Sequence, residues 1–547
     1  MLQPIPVVDL FAGPGGLGEG FSQEIHGKSP FRIAISVEKD AVAHQTLTLR
    51  SFFRQFKHRG NPVPDAYYDY LAGRTSRREL EENHSEEWGA ARDEALCAEL
   101  GRNEPVHQPL IDRMIKKALR GGGSWVLIGG PPCQAYSLVG RSRMLGALKD
   151  DNGVLDNEGE AFFKDHRHTL YRQYLRIIAM YSPSVFVMEN VKGILSSKLG
   201  GERIFPQILQ DLRNPAMAAK QYGWSSKNTK NYRIVSFVTG NEPNANEEGD
   251  YLIRAERYGV PQARHRVILL GVREDIYENI GGEIVPLLSQ EPISLKTVIG
   301  GMPHLRSGFS KGLDFSGRCK GYFQELGRAQ WIKQVDPDVR AVLLDALVAL
   351  ARQDLPTEYV GTGRFFPKVL NEWYSDNRLR GLSNHRTRSH MDSDLARYLY
   401  VAAFGQARER SPHLEDFPVA LLPDHNNIHR DDKEQEFSDR FKVQLWGNPA
   451  STITCHISKD GHYFIHPDPA QCRSLTVREA ARIQTFPDNY FFEGGQTQQY
   501  HQVGNAVPPY LAKQLATVVW DIMKRALGHN NPQLEGGMTT SEKCRRN

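Results

Sequence analysis

The sequence predicts an α/β protein, with a doubly wound sheet in its first half and an irregular second region. Three observations predict it. Short apolar runs alternate with helical periodicity from residue 5 onward, a glycine-rich turn joins the first run to a helix, and the alternation fades after about residue 290. Continuous apolar runs of this length suit strands buried on both faces. At 547 residues the chain has room for roughly two to four domains and a large core.

Residues 5–56 read β-α-β-α: IPVVDL, a helix from about Gly16, FRIAISVE, then AVAHQTLTLRSFFRQF. Residues 57–123 break the rhythm as a polar, charged, helical insertion ending in GGG. Strand character resumes at SWVLIGG (124–130), and a polar loop leads to the helix HTLYRQYLRIIAMY (168–181), which stops before Ser-Pro. SPSVFVMEN (182–190), YRIVSFVTG (232–240) and HRVILLGV (265–272) complete a sheet expected to be parallel throughout. Residues 295–440, rich in Arg, His, Gly and aromatics, are expected to form a second domain. The βα character returns at SLTVREAARIQTF (474–486) and in the helix 508–527, and residues 528–547 read as a disordered tail. The expected segmentation is 1–294, carrying the insertion 57–123, then 295–440, then a return to the first domain over 441–527.

The composition is that of an ordinary globular protein, 40% hydrophobic and 24% charged. A net charge of +4 neither demands nor excludes a nucleic-acid partner, but GLSNHRTRSH (381–390) is purely basic and polar. Six cysteines, at 97, 133, 319, 455, 472 and 544, lie far apart with no zinc-site spacing, so neither a disulfide framework nor a metal is expected. No apolar run reaches the roughly 18 residues of a membrane span, and no signal-peptide pattern opens the chain. A cytoplasmic protein is expected, nucleoid-associated if prokaryotic.

Chemistry begins at VVDLFAGPGGLGEGF (7–21). Gly13, Gly15 and Gly18 satisfy G-x-G-x-x-G, and Glu38 closes the next apolar run, placed for ribose hydroxyls. Nicotinamide dinucleotides and S-adenosylmethionine both carry such a ribose. Asp9 and Glu19 flank the loop with carboxylates, which suits an ammonium better than a pyrophosphate. A turn that binds nothing also fits this pattern.

GGPPCQAYS (129–137) follows a strand, so its loop lies at the carboxyl edge of the sheet, where ligands bind in this architecture. Cys133, stiffened by two prolines and flanked by polar residues, has the setting of a nucleophile, although an inert thiol fits too. In MENVKGIL (188–195), Glu189 ends a buried strand at the same edge and is partly desolvated, as suits a proton donor. A helix cap or a surface carboxylate is its plainer reading. In YGVPQARHRVILLG (258–271), Gln262, Arg264 and Arg266 alternate into a strand, so two guanidiniums share a face. Charges protecting an edge strand would look the same.

Taken in order, DLFAGPGGLGEGF, Glu38-x-Asp40, GGPPCQAYS, MENVKGIL, YGVPQARHRV, RSLTVREAARIQTFPDNY (473–490) and QVGNAVPP (502–509) closely resemble the C5-cytosine DNA methyltransferases. The resemblance covers about 1–56, 124–290 and 448–527. It implies a Rossmann-like S-adenosylmethionine-dependent methyltransferase sheet with a target-recognition domain, acting as a monomer on double-stranded DNA. A separately encoded restriction endonuclease or other defence partner is implied as well. Thiolate attack by Cys133 on C6 would make the ring electron-rich, with Glu189 serving N3, Arg266 holding O2 and Arg264 giving phosphate contact or loop support. The target base must be flipped out of the duplex for this chemistry.

For the cofactor, the resemblance implies Phe11 against the adenine, Gly13, Gly15 and Gly16 around the methionine tail, and Glu38 on the ribose. Pro131, Asn505 and Val507 complete that pocket. DNA contact falls to Gln134, Ser137 and Gln262. In the basic loop, Arg386 and Arg388, with His385 and His390, are the candidates. The chain departs from the pattern at Lys39, where many members carry an aromatic. The acid that reads the adenine amine should follow the third strand, where the insertion lies; Asp65 is the candidate there. An RNA methyltransferase and a DNA-binding regulator without catalysis are the rival readings. The long segment between 272 and 448 argues against the first, and intact Cys133, Glu189 and Arg266 argue against the second.

Overall fold

The computed structural model describes residues 3–101, 107–120, 122–132, 170–199, 202–224, 230–244, 246–422 and 441–529. Its main sheet has eight strands: β1 (Ile5–Leu10), β2 (Phe31–Glu38), β3 (Ala95–Cys97), β4 (Val126–Gly129), β5 (Val185–Val191), β6 (Tyr232–Ser236), β7 (Leu252–Arg254) and β8 (His265–Arg273). They lie in the order β3-β2-β1-β4-β5-β8-β6, with β7 also paired to β8. The five strands from β3 to β5 run parallel, with Leu10 opposite both Val37 and Gly129, and Gly129 opposite Met188. The expectation of an all-parallel sheet is corrected at β8, which is antiparallel to β5, β6 and β7. That reversal matters for the site. It brings the start of β8, not its end, to the carboxyl edge of β5.

The central strands are apolar because both of their faces are covered. Val7, Val126, Ile128, Ile268 and Leu270 enter one buried cluster, while Val8, Leu127, Val267 and Leu269 enter the other. Period-two alternation thus divides each strand between two cores. Helix α1 (Gly16–Phe21) packs on the first face, and α2 (Ala41–His58) follows β2, capped by Asp40, whose carboxylate accepts from Val42 and Ala43.

The expected insertion divides in two. Helices α3 (Asp65–Leu71), α4 (Arg77–Asn83) and α5 (Ser85–Glu94) form a cluster with α2 built on Phe52, Tyr67 and Trp88. The remainder belongs to the sheet, as edge strand β3 and helix α6 (His107–Ala118), whose Ile111 and Ile115 join the second core. A three-residue strand is too short for periodicity to reveal, which hid it in the sequence. The second face also carries α7 (170–181) and α8 (Ile204–Arg213).

Helices α9 (Pro337–Arg352) and α10 (Asp392–Arg408) build a separate core. Phe441, Val443, Ile465 and Cys472 share it, so packing runs across the expected break at 440/441. Likewise Leu295, Val298 and Ile299 share a cluster with residues from Ala450 to Ala506. Helices α11 (Val477–Ile483) and α12 (Gln496–Asn505) precede α13 (Pro509–His529), which returns to the first face through Leu511, Leu515, Val519 and Ile522. Among the described residues no helix is long and apolar enough to cross a membrane. The tail beyond residue 529 lies outside the described residues.

Candidate active site

The carboxyl ends of β1, β2, β4 and β5 meet at one edge, on either side of the point where the chain winds out in opposite directions from β1. The loop after β1 turns on three left-handed residues, Phe11 (φ 58°), Gly13 (φ 58°) and Gly15 (φ 100°). Glu38 holds this turn: Oε2 accepts from the Gly13 amide at 2.8 Å and Oε1 from the Asp40 amide at 2.7 Å. Phe11 is half-buried against the second core.

The loop's glycines serve different purposes. A Cβ on Gly13 would meet nothing within 4 Å, so the backbone there is open to a ligand. A Cβ on Gly16 would instead collide with the carbonyl of Val507, where the C-terminal segment crosses the first helix. Val507 is 7% exposed, Pro131 is buried and Asn505 is exposed at the end of α12, within 3.3 Å of the His501 ring. An open turn beside a carboxylate at the tip of β2 fits an adenosine-bearing cofactor with ribose hydroxyls.

The carboxylates flanking the loop differ from expectation. Glu19 is fully buried and faces away, paired with Arg50 at 2.6 Å and 2.8 Å, and the guanidinium holds its carboxyl below the usual range. It is not free to meet an ammonium. Asp9 is fully buried with neither oxygen hydrogen-bonded, and burial pushes it up to about 8 despite nearby Arg54. Asp65 is displaced as the adenine-reading candidate, because it lies in the exposed α3 turn and pairs with Arg378 at 2.7 Å. The acid that follows β3 is Glu99, 3.3 Å from Lys39, the residue next to Glu38. Short β3 concealed it; the ALC run before Ala98-Glu99 was the available signal.

At the other half of the edge, β4 leads into Gly130, Pro131 and Pro132; Cys133, Gln134 and Ser137 lie outside the described residues. A Cβ on Gly130 would come within 2.8 Å of Glu189 Oε2, so this carboxylate sits directly over the start of the Pro-Pro-Cys loop. Arg266 Nε lies 2.8 Å from Glu189 Oε1, and Arg266 also donates to the carbonyl of His265 at 2.9 Å. Both side chains keep some exposure, 17% and 15%.

The other two residues of the alternating trio do not join this pair. Arg264 is 2% exposed and donates to the carbonyls of Ile453 (2.8 Å) and Gly504 (3.3 Å). It ties the residue before β8 to the C-terminal segments. Gln262, expected at DNA, is fully buried: its amide donates to Gln484 at 2.9 Å and accepts from the Ile453 amide at 2.6 Å. These two bridge segments about 200 residues apart, which no local pattern predicts.

The basic loop is also rearranged by packing. His385 is buried between Thr476 (2.9 Å) and the Pro303 carbonyl (3.2 Å), and His390 is buried beside Ser307 at 2.8 Å. Arg388 donates to the Ile457 carbonyl and lies 4.1 Å over the Tyr500 ring. Arg386 alone of the four is exposed. The loop is a seam, with one cation facing out.

Residues 102–216 and 366–520 match a family model described as C-5 cytosine-specific DNA methylase. A type II methyltransferase of Bacillus paralicheniformis is 33% identical over 539 residues, which is 96% of this chain and 100% of that protein. A DNA (cytosine-5-)-methyltransferase of Aeropyrum pernix is 25% identical over 445 residues, 74% of this chain and 83% of its own. The solved structure of an Entamoeba histolytica methyltransferase aligns over 95% of this chain and 99% of its own, at 13% identity and a TM-score of 0.41.

Proposed function

The chain belongs to the C-5 cytosine-specific DNA methylase family and is a DNA cytosine-5 methyltransferase, and from that premise we propose a covalent mechanism on a flipped cytosine. The substrate is a cytosine within a specific duplex sequence, the cofactor is S-adenosylmethionine, and the catalytic residues are Cys133, Glu189 and Arg266. The observation that carries this reading is the Glu189–Arg266 pair, 2.8 Å apart at the carboxyl edge of β5 and over the loop that leads to Cys133.

Carbon 5 of cytosine is a poor nucleophile. The Cys133 thiolate forms a bond to C6 and pushes electron density toward C5 and N3. Glu189 supplies a hydrogen bond or proton at N3, and Arg266 holds O2 while keeping Glu189 aimed at the ring. Bound S-adenosylmethionine supplies an electrophilic sulfonium methyl for C5. Loss of the C5 proton then breaks the C6–sulfur bond and regenerates the thiolate. Gly13 and Glu38 would hold the cofactor's methionine tail and ribose, beside Phe11, Pro131, Asn505 and Val507. The base must leave the stack for any of this to occur. Relatives named as type II methyltransferases support a place in a restriction–modification system, with a separately encoded endonuclease as partner.

Bisulfite sequencing of DNA from cells expressing the chain, paired with a 5-fluorocytosine duplex, tests this reading. Cytosines in one sequence context become protected, and the fluorinated duplex forms a denaturation-resistant adduct that requires S-adenosylmethionine. Cys133→Ala abolishes both. Trapping on RNA alone would remove the DNA assignment, and an adduct persisting in Cys133→Ala would remove the covalent step.

A further inference from the structure

Two neighbouring residues, Asn489 and Tyr490, bond to different segments from the turn after α11. The Tyr490 hydroxyl donates to the carbonyl of Pro14, inside the cofactor loop, and its ring is fully buried. The Asn489 amide donates to the Asp376 carboxylate at 2.7 Å, while its oxygen accepts from Arg50 at 3.0 Å. Arg50 is in turn held by Glu19 of α1, the helix that this loop opens.

On the far side, Asp376 also accepts from the Tyr68 hydroxyl at 2.7 Å, and Arg378 pairs with Asp65. Next to it, the Asn377 carbonyl accepts from Arg364, an exposed cation, at 2.6 Å. A continuous series of bonded groups therefore runs from the surface of the 295–440 region to the backbone of the cofactor loop. Helices α3–α5 brace its middle: Tyr68 lies in their buried cluster together with Leu379, with Phe491 packed against it.

Several of these bonds are buried and charge-assisted, the kind that is costly to leave unmade. A displacement at Asp376 is thus carried to Asn489 and Tyr490 more readily than it is absorbed. The loop at the other end turns on Phe11, a residue with a side chain held at positive φ, so its shape depends on what surrounds it.

We propose that Asp376, acting through Asn489 and Tyr490, is a positioning residue that couples DNA engagement by the 295–440 region to the order of the cofactor loop. Fixing the segment around Asp376 orders the loop before the cofactor arrives, so the second ligand meets a smaller ordering cost. Because the coupling is reciprocal, the cofactor tightens DNA binding by the same factor. The inference rests on the reading of S-adenosylmethionine and DNA given above, with residues 295–440 as the target-recognition region that the sequence resemblance implies.

Calorimetric titration of S-adenosylhomocysteine, with and without a duplex carrying the context found by bisulfite sequencing, measures the coupling. Wild-type chain gains about 5–50-fold in S-adenosylhomocysteine affinity when the duplex is bound. Asp376→Ala keeps its DNA-free affinity within about twofold, since Asp376 touches no part of the cofactor loop, but loses the gain. Tyr490→Phe removes one hydroxyl and loses the gain from the other end, and the double variant shows no further loss. A purely structural brace would lower melting temperature without changing this ratio. Full wild-type gain in either variant would overturn the coupling, as would a wild-type chain that binds both ligands with no mutual effect. If wild-type chain binds no S-adenosylhomocysteine, the cofactor reading falls and the coupling with it. Should Asp376→Ala show no cooperative melting, Tyr490→Phe decides alone.

Discussion

Arg266 Nε lies 2.8 Å from Glu189 Oε1, and the two residues come from neighbouring strands that run in opposite directions. Ile268 stands opposite Glu189 in the register, and Arg266, two residues earlier, reaches back across it to the carboxylate. Each residue therefore holds the other in place. Glu189→Gln keeps the shape but removes the exchangeable proton, and kcat falls by about 10²–10⁴. Arg266→Ala lowers kcat/KM and misplaces Glu189. Single-turnover kinetics of the double variant show a loss smaller than the product of the two. Strictly multiplicative losses would mean that the pair does not act as a unit.

Glu38 accepts from two backbone amides and stands at the ribose position proposed for it. Glu38→Ala weakens S-adenosylhomocysteine binding by about 1.5–3 kcal/mol, the scale of hydrogen bonds to a charged group. Calorimetry checks this, and the same instrument shows no NADH binding by the wild-type chain. Unchanged affinity in the variant would take Glu38 out of the cofactor site.

Arg386 and Arg388 are two residues apart and respond differently to truncation. Arg386→Ala weakens DNA binding uniformly across sequences and lowers the slope of log affinity against log salt by about 1. Arg388→Ala leaves that slope unchanged and destabilises the fold by about 1–3 kcal/mol, because it removes a bond to the Ile457 carbonyl and a cation over Tyr500. Salt titrations and thermal melts of both variants separate the two roles. A lowered salt slope in Arg388→Ala would return this residue to the DNA interface.

Three buried histidines give the fold an acid-sensitive seam. Burial lowers His385 from 6.5 to about 4 and His390 to about 3, and His466, also buried and beside Arg473, is held below its ordinary value. The folded chain keeps these rings neutral, while the unfolded chain protonates them as pH falls below about 6.5. The unfolded state then binds more protons, so this contribution is fully present above pH 6.5 and is lost on acidification toward 4. Each ring adds about 1.4 kcal/mol per pH unit to the slope in that window. Denaturant unfolding at pH 6.5, 5.5 and 4.5 tests the effect, with Asp9 contributing in the opposite sense because its folded-state value is raised. His385→Asn and His390→Gln each flatten the slope by about one ring's share. Slopes identical to wild type would show that the rings are protonated in the fold.

Much of the candidate site was legible because its pieces are local. An apolar run that ends in an acid places Glu38 at the tip of β2 and Glu189 near the end of β5 whatever the rest of the chain does, and a glycine-rich turn after the first strand marks the loop. Burial on two faces wrote β1, β4 and β5 as continuous hydrophobic runs, so the sheet could be read before its neighbours were known.

What tertiary structure alone decided is which polar residues stay accessible and which are taken up by other segments of the protein. Arg264, Gln262, Arg388 and Glu19 have the residue types of a functional site, and each is taken up by a partner distant in sequence: Ile453 and Gly504, Gln484, Ile457, and Arg50. The reversed direction of β8, which delivers Arg266 to Glu189, is likewise a property of strand pairing and not of the strand. Local sequence determines where a side chain leaves its own element. Whether that direction opens on solvent or on another segment depends on packing, because a guanidinium satisfies carbonyl oxygens, carboxylates and phosphates through the same five donors.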